Sequence, residues 1–187
     1  MGIRGKFFLD RNNAILLIVD VQDKLCKAMD EKILARLTAN IGILQQTATE
    51  LAIPILATEQ YVQGLGETLP ELKERLSVPA LGKMSFSCCG DENFMAAVRK
   101  SRRRQIIVTG MEAHVCVLQT VLELLDEGYH VHLVSDAVMS RKKENWQVGL
   151  NVAAAAGAVI TSTEAAFFQL LKVAGTEQFK KLSKLVR

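Results

Sequence analysis

A cysteine delivered to the first turn of a helix is the residue in this chain best placed to act as a nucleophile. Residues 105–128 read QIIVTGMEAHVCVLQTVLELLDEG. Ile106, Ile107 and Val108 make a β-branched apolar run suited to a buried parallel strand. Val115, Leu118, Val121, Leu122 and Leu125 then recur at helical spacing until Gly128 stops the series. The tight loop between them, residues 111–114, sets Cys116 beside unpaired backbone N–H groups and the positive end of the helix dipole. Both favour thiolate, the reactive form of a cysteine. A buried packing cysteine is the competing reading, and a strand-to-helix turn alone does not choose between them.

Two further residues that could do chemistry stand in comparable places. Asp20 follows the apolar run AILLIV of residues 14–19. An acid at the carboxyl end of a buried strand must be paired, hydrogen-bonded or protonated, unless it caps the next helix. Lys83 follows a weak strand at residues 78–81, whose Pro79 marks it as an edge. A lone lysine is ordinarily a surface residue. The carboxyl ends of strands in open α/β sheets are where ligands bind.

The elements that must position these residues alternate along the whole chain. A long amphipathic helix is predicted over residues 30–51, on Ile33, Leu34, Leu37, Ile41, Leu44, Ala48 and Leu51. A second strand follows at residues 54–57, with Thr58, Glu59, Gln60 and Tyr61 after it, then a Gly/Pro loop and a short helix at 71–76. Asp91 caps a helix through Arg99. A fifth strand is predicted at residues 131–134, an alanine-rich helix at 145–156, a sixth strand at 157–160, and a helix opened by a Thr161/Glu164 capping box. Phe179, Leu182 and Val186 mark a terminal amphipathic helix. Alternating strands and helices predict an α/β fold, a three-layer α-β-α sandwich around a parallel Rossmann-like sheet with right-handed crossovers. Residues 1–187 read as one domain, without repeat, linker or low-complexity tract.

Composition narrows the function classes. Hydrophobic residues make up 49%, and Lys plus Arg exceed Asp plus Glu by only 3. Charge alone therefore does not argue for nucleic acid. The dense basic cluster at residues 99–104 sits where a helix turns into the central strand, and reads as a solvated loop. The apolar runs are far shorter than the roughly 20 residues of a membrane span. No membrane partner and no secretory signal are expected. Four cysteines need no disulfide framework, so a reducing cytoplasm is the expected location. Cys26 reads as a packing residue, and the adjacent Cys88 and Cys89 form a pair too strained to bridge readily. No CxxC or Cys–His spacing suggests zinc. His130 and His132 share one strand face, and a satisfied structural role is expected of them rather than metal binding.

Three motifs now stand at strand ends: VDVQ at 19–22, GKMSFS at 82–87 and GMEAHVCV at 110–117. In that order and spacing, together with SDAVMSR at 135–141 and GAVITSTEAAFFQLL at 157–171, the chain resembles the isochorismatase-like cysteine hydrolases over nearly its full length. The resemblance implies a six-stranded parallel sheet and a catalytic set of Asp20, Lys83 and Cys116. In those roles Cys116 is the nucleophile, Asp20 takes and returns its proton, and Lys83 keeps Asp20 ionised. The N–H of Cys116 and one from the preceding loop form an oxyanion hole. Members often carry a non-proline cis peptide in that loop, expected here around residues 112–114.

One departure bears on the substrate. Nicotinamidases of this family hold a metal through an Asp-x-His motif after the second strand, where this chain reads Thr58-Glu59-Gln60-Tyr61. The TEQY segment followed by Gly64-Leu65-Gly66 resembles the isochorismatase-domain-containing members instead. No metal or other cofactor is expected. Vinyl-ether hydrolases of this fold can lack the cysteine, so its presence favours amide or other acyl hydrolysis. An isochorismate-type vinyl-ether hydrolase and a catalytically silent oligomeric binding protein are the alternatives. Gln22, Tyr61, Phe86, Met111 and His114 lie within a few residues of the three strand ends and are the expected lining for a small-molecule substrate. Phe167, Phe168 and the terminal helix are more apolar surface than a small domain comfortably exposes, so a homo-oligomer, a dimer or higher, is expected.

Overall fold

The computed structural model describes residues 2–186; Met1 and Arg187 lie outside them. A short helix α1 (Ile3–Phe7) leads into β1 (Ala14–Val19), buried along its whole length. The single turn α2 (Asp23–Cys26) precedes the long α3 (Glu31–Glu50), whose first turn is closed by Asp30 Oδ1 accepting from the Ile33 N–H at 3.0 Å. Next come β2 (Ile55–Gln60), the turns α4 (Val62–Leu65) and α5 (Pro70–Lys73), and the edge strand β3 (Leu81–Lys83). The second half runs α6 (Glu92–Ser101), β4 (Gln105–Met111), α7 (Cys116–Asp126), β5 (His130–Met139), α8 (Lys143–Ala156), β6 (Val159–Thr161), α9 (Thr163–Leu171) and α10 (Glu177–Leu182).

All six strands are parallel, in the order β3-β2-β1-β4-β5-β6. The sheet divides two cores because successive side chains on a strand point to opposite faces. Leu16, Ile18, Ile107 and Val134 meet Leu37, Ile41 and Leu44 of α3 and Phe167 of α9. Ile15, Leu17, Val19, Ile106 and Val108 meet Phe94 of α6, Val117 and Val121 of α7, and Ala153 of α8. Each fully buried Leu, Ile or Phe contributes roughly 1.5–3 kcal/mol, which is why both faces must be covered. The α/β three-layer expectation is met. The strand order reverses between β1 and β4, so a crevice opens there at their carboxyl ends.

Several boundaries differ from expectation. β2 continues through Thr58, Glu59 and Gln60, because these polar residues keep pairing with β1 and β3 while their side chains find partners. β3 starts three residues later than predicted and includes Lys83; Pro79 has no N–H to give a ladder. β5 runs on to Met139 after a register shift between Val108 and Gly110 on β4. The cap of α9 is Ser162, accepting from Ala165 N at 3.2 Å, rather than Thr161. Asp91 caps α6 as expected, accepting from Phe94 N at 3.0 Å. Phe167 is core, and the α10 face seats Leu182 in the α3 side of the core, so neither supplies the exposed apolar surface expected of them.

Candidate active site

β1 and β3 carry their charged residues to one point. Asp20 leaves β1 with a left-handed backbone (φ 50°), and its N–H donates to Thr58 O at 3.1 Å. Lys83 Nζ donates to Asp20 Oδ2 at 2.7 Å with both side chains sealed from solvent. The same ammonium reaches Gln60 Oε1 at 2.9 Å, Phe86 O at 2.9 Å and Ser85 O at 3.1 Å. Taking an ion pair out of water costs several kcal/mol per ion, and is offset only when its other protons and lone pairs are satisfied. Here they are. The Gln60 amide is fixed in turn by its Nε2 donating to Met84 O at 2.8 Å.

β4 brings the thiol. Gly110 has φ +108°, and a Cβ there would lie 2.0 Å from Val19 O, so only glycine lets the end of β4 close on the end of β1. The Met111–Glu112 peptide is cis, one bond before the expected segment. Val115 and Val117 both donate to Glu112 O, at 3.0 and 3.2 Å, leaving the Cys116 N–H without an acceptor among the described residues. An unclaimed N–H at the start of a helix is one half of an oxyanion hole. Gly149 of α8 backs this loop so closely that a Cβ would lie 2.5 Å from Ala113 O. Glu112 is held by Arg141. Burial alone would raise its carboxyl, but the Arg141 side-chain and backbone N–H bonds and its charge outweigh that and lower it.

The resting state of the thiol corrects an expectation. Cys116 is 6% exposed; burial pushes it up, the Asp20 charge pushes it further, and Lys83 pulls down without prevailing. Loss of water and the Asp20 charge therefore outweigh the lysine, and the thiol's proton affinity is raised where the sequence suggested that it would be lowered. Burial also pushes Cys88 up to about 11 and Cys26 and Cys89 up to about 12. Burial raises all four thiols, and Asp20 acts on Cys88 as well as on Cys116; what sets Cys116 apart is its place at the start of α7 beside an unclaimed backbone N–H.

The expected lining residues divide into two groups. Tyr61, 47% exposed, and Phe86, 56% exposed, stand at the rim with Met84. Tyr61 and Met84 border a cleft of about 520 Å³ that runs past Val62, Gln63, Gly82 and Asp91. His114 is half-buried: its Nε2 accepts from Asn145 Nδ2 at 3.2 Å, which places the ring proton on Nδ1, toward Ser140 Oγ at 3.0 Å. Gln22 and Met111 are fully buried. The Gln22 amide is spent on Gln60 and the Gly66 carbonyl, tying the 61–66 turn down, and Met111 packs in the α3 core. Their side chains therefore shape the site from behind instead of presenting to a substrate.

Thr58, Gln60 and Cys88 also belong to this cluster and are not singled out by the sequence. Thr58 Oγ1 donates to Asp20 Oδ1 at 2.8 Å and lies 3.5 Å from Cys88 Sγ. The available signal was a run of polar residues continuing a buried strand, which needs a buried partner for each. Among the described residues no group of three or more His, Cys, Asp or Glu is arranged to hold a metal ion. His132 is sealed in the core with neither ring nitrogen hydrogen-bonded, so its structural role is an unsatisfied one; burial pushes its pKa down to about 4. No helix of the described residues is long and apolar enough to cross a membrane. All four cysteines are free thiols.

A six-stranded parallel α/β protein with a carboxylate, an ammonium and a thiol gathered at the point where strand order reverses is the class these observations define. Residues 14–165 match the isochorismatase domain, and the chain belongs to the isochorismatase-like hydrolase family. It is 36% identical over 181 residues to the secreted isochorismatase effector Isc1 of Phytophthora sojae, covering 94% of this chain and 85% of that protein. Among solved structures it is similar to the MAR1 ribonuclease of Caenorhabditis elegans, with a TM-score of 0.89 and 34% identity over 96% of this chain and 92% of that one. YcaC from Pseudomonas aeruginosa, solved with hexane-2,5-diol and covalent acrylamide, has a TM-score of 0.89 and 26% identity, covering 95% and 91%.

Proposed function

We propose that the protein is a cysteine hydrolase of a small amide-like C–N bond, working through a thioester on Cys116 and needing no metal. The observation that carries this reading is the sealed Lys83–Asp20 pair, 2.7 Å long, with the Cys116 thiol within reach of its charge. As Cys116 Sγ attacks the carbonyl carbon, its proton passes to Asp20, and the oxyanion takes the free Cys116 N–H. The C–N bond breaks as Asp20 hands the proton to the departing nitrogen, leaving a thioester. Asp20 then takes a proton from water, the hydroxide attacks the thioester, the C–S bond breaks, and the proton returns to Cys116. Lys83 keeps Asp20 fixed and balances the charge that builds beside it. Tyr61, Phe86 and His114 face the substrate, while Gln22 and Met111 support the walls. Acrylamide is a thiol-reactive electrophile, and its covalent presence in a YcaC of the same fold supports a reactive nucleophile in such a protein. A reducing compartment, the cytoplasm, belongs to this reading, supported by the four free cysteines.

The test is a screen of small amides, ureas, N-carbamoyl compounds and an isochorismate-like vinyl ether against wild type and Cys116→Ala. Loss of roughly 10³-fold or more in kcat on an amide-like compound is expected. Undiminished turnover by Cys116→Ala refutes the nucleophile, and exclusive turnover of the vinyl ether refutes the substrate class.

The likeness to a protein described as a ribonuclease invites RNA as a second substrate. The basic cluster does not support it. Arg103 donates to Ala14 O at 2.9 Å and Arg104 lies over the Tyr129 ring, both near the amino ends of the strands, the opposite end of the sheet from Cys116. No cleavage of a mixed single-stranded RNA is expected; cleavage abolished by Cys116→Ala would replace the amide reading.

A further inference from the structure

We propose that Thr58 and Cys88 are positioning residues for the base: a buried chain from the Cys88 thiol through the Thr58 hydroxyl to the Asp20 carboxylate holds Asp20 turned toward Cys116. The inference rests on the reading of Asp20 and Cys116 given above.

Asp20 is held by Thr58 at both ends. Its N–H donates to Thr58 O at 3.1 Å, and its Oδ1 accepts from Thr58 Oγ1 at 2.8 Å. Lys83 holds the other oxygen, Oδ2, at 2.7 Å. With one donor on each oxygen from the β2–β3 side, rotation of the carboxylate is blocked, and the remaining lone pairs are left for the thiol proton. Lys83 alone would fix only one oxygen.

The direction of the chain follows from proton counting. A hydroxyl has a single proton, and a carboxylate only accepts, so the Thr58 proton is committed to Asp20. The Cys88 Sγ, 3.5 Å from Thr58 Oγ1, must therefore donate. Burial pushes Cys88 up to about 11, which keeps it a donor at neutral pH. A valine would fill the Thr58 position in a buried strand without a hydroxyl to satisfy, so the hydroxyl needs a reason. Serving Asp20 is the one the contacts supply.

The chain also closes on the nucleophile. The Cys88 N–H donates to Thr120 Oγ1 at 2.9 Å, and Thr120 Oγ1 donates to Cys116 O at 2.6 Å. Cys88 is thus tied to the base through its thiol and to the first turn of α7 through its backbone. Cys88 opens one turn of 3₁₀ helix, Cys88–Gly90, capped by Ser87.

The experiment measures alkylation of Cys116 by iodoacetamide at pH 7–9 in the full-length protein, resolved from the other cysteines by peptide mapping. It needs no substrate. Thr58→Val should slow Cys116 about tenfold, the loss of one hydrogen bond to a charged group. Thr58→Ser, which keeps the hydroxyl, should return to within about twofold of wild type. Cys88→Ala should slow Cys116 by a smaller factor, about threefold, and Cys88→Ser should restore it. Rescue by the serine variants is the readout that loss of packing would not produce. Thr58→Val reacting at the wild-type rate, or Thr58→Ser failing to restore it, overturns the proposal. If Thr58→Val does not fold, judged by circular dichroism, the Cys88 pair decides: equal rates for Cys88→Ala and wild type overturn it. Asp20→Asn separates this inference from the reading it rests on. The Asp20 charge by itself raises the proton affinity of the thiol, so its loss speeds alkylation unless Asp20 is the base. A slow Asp20→Asn with a normal Thr58→Val removes only the positioning chain, whereas an unchanged or faster Asp20→Asn removes the base itself.

Discussion

Lys83 shows why one residue can matter more than its type suggests. Lys83→Met keeps the volume but leaves the Asp20 carboxylate buried without its counter-charge. Breaking one side of a buried pair costs about 3 kcal/mol or more, which for a domain of this size lowers Tm by roughly 6–12 °C. Thermal melts of Lys83→Met should show that drop, and Cys116 alkylation should slow; an unchanged Tm would mean that Asp20 finds another partner. His132 makes a separate prediction. The folded imidazole is pushed down to about 4 from 6.5, so on acidification the unfolded chain takes up this proton first. Stability is therefore lost as pH falls from 6.5 toward 4, by about 3 kcal/mol in all. His132→Leu should flatten that part of a urea-denaturation profile, and an unaltered slope would assign the acid sensitivity to other groups. Of the proposed site residues, Asp20 and Cys116 were legible from their places beside strand ends, whereas Lys83 reads as an ordinary surface lysine until the GKMSFS motif is matched to the family. Thr58 and Cys88 were not, because a hydroxyl and a thiol in apolar surroundings look like packing until their partners are known.

At the scale of the element, the loop before Cys116 rests on a helix distant in sequence. Gly149 lies within α8 and lets that helix rest on Ala113 O. Gly149→Ala should push α8 or the loop aside, at about 1–3 kcal/mol, and reduce Cys116 reactivity without touching any catalytic atom. Unfolding curves and alkylation rates on one preparation test both parts; normal values for both would show that the contact relaxes freely. The helices were readable from their apolar spacing, and α3 falls within a residue of its predicted ends. Strand ends were less so. β2 and β5 extend into polar residues, Thr58 to Gln60 and Ser135 to Asp136, whose partners lie on other elements: Asp136 Oδ1, for one, accepts from Thr163 N at 2.8 Å.

For the whole molecule, a homo-oligomer remains the expectation on different grounds from the sequence argument. Phe167 and the α10 face are internal, but Val148 and Val152 on α8, Phe168 on α9, and Met84 and Phe86 beside the site are exposed. A mass of at least a dimer is expected by light scattering at micromolar concentration, and a monomer would refute it. Under the proposed mechanism, activity on any amide found by the screen should survive exhaustive chelation, because Asp20 would serve as the base and the Cys116 N–H as an oxyanion donor. Loss of activity restored by stoichiometric zinc, manganese or iron would place a metal in the mechanism.

What the sequence determined by itself is the architecture and, through the family resemblance of its motifs, the three residues proposed for the site. Apolar periodicity is a local property, so runs of period 2 and 3.6 could be read without knowing what they pack against, and VDVQ, GKMSFS and GMEAHVCV lie at or across the carboxyl ends of β1, β3 and β4. Only the tertiary structure decided the state of the thiol and the identity of its supports. Whether Cys116 rests as thiol or thiolate depends on how much water remains and how near Asp20 comes. Neither is a property of neighbours in sequence: 96 residues separate Asp20 from Cys116, and 30 separate Thr58 from Cys88. The strand order, which sets β1 between β2 and β4, brings Asp20 within reach of Cys116, and the turn after β3 brings Cys88 to 3.5 Å from Thr58.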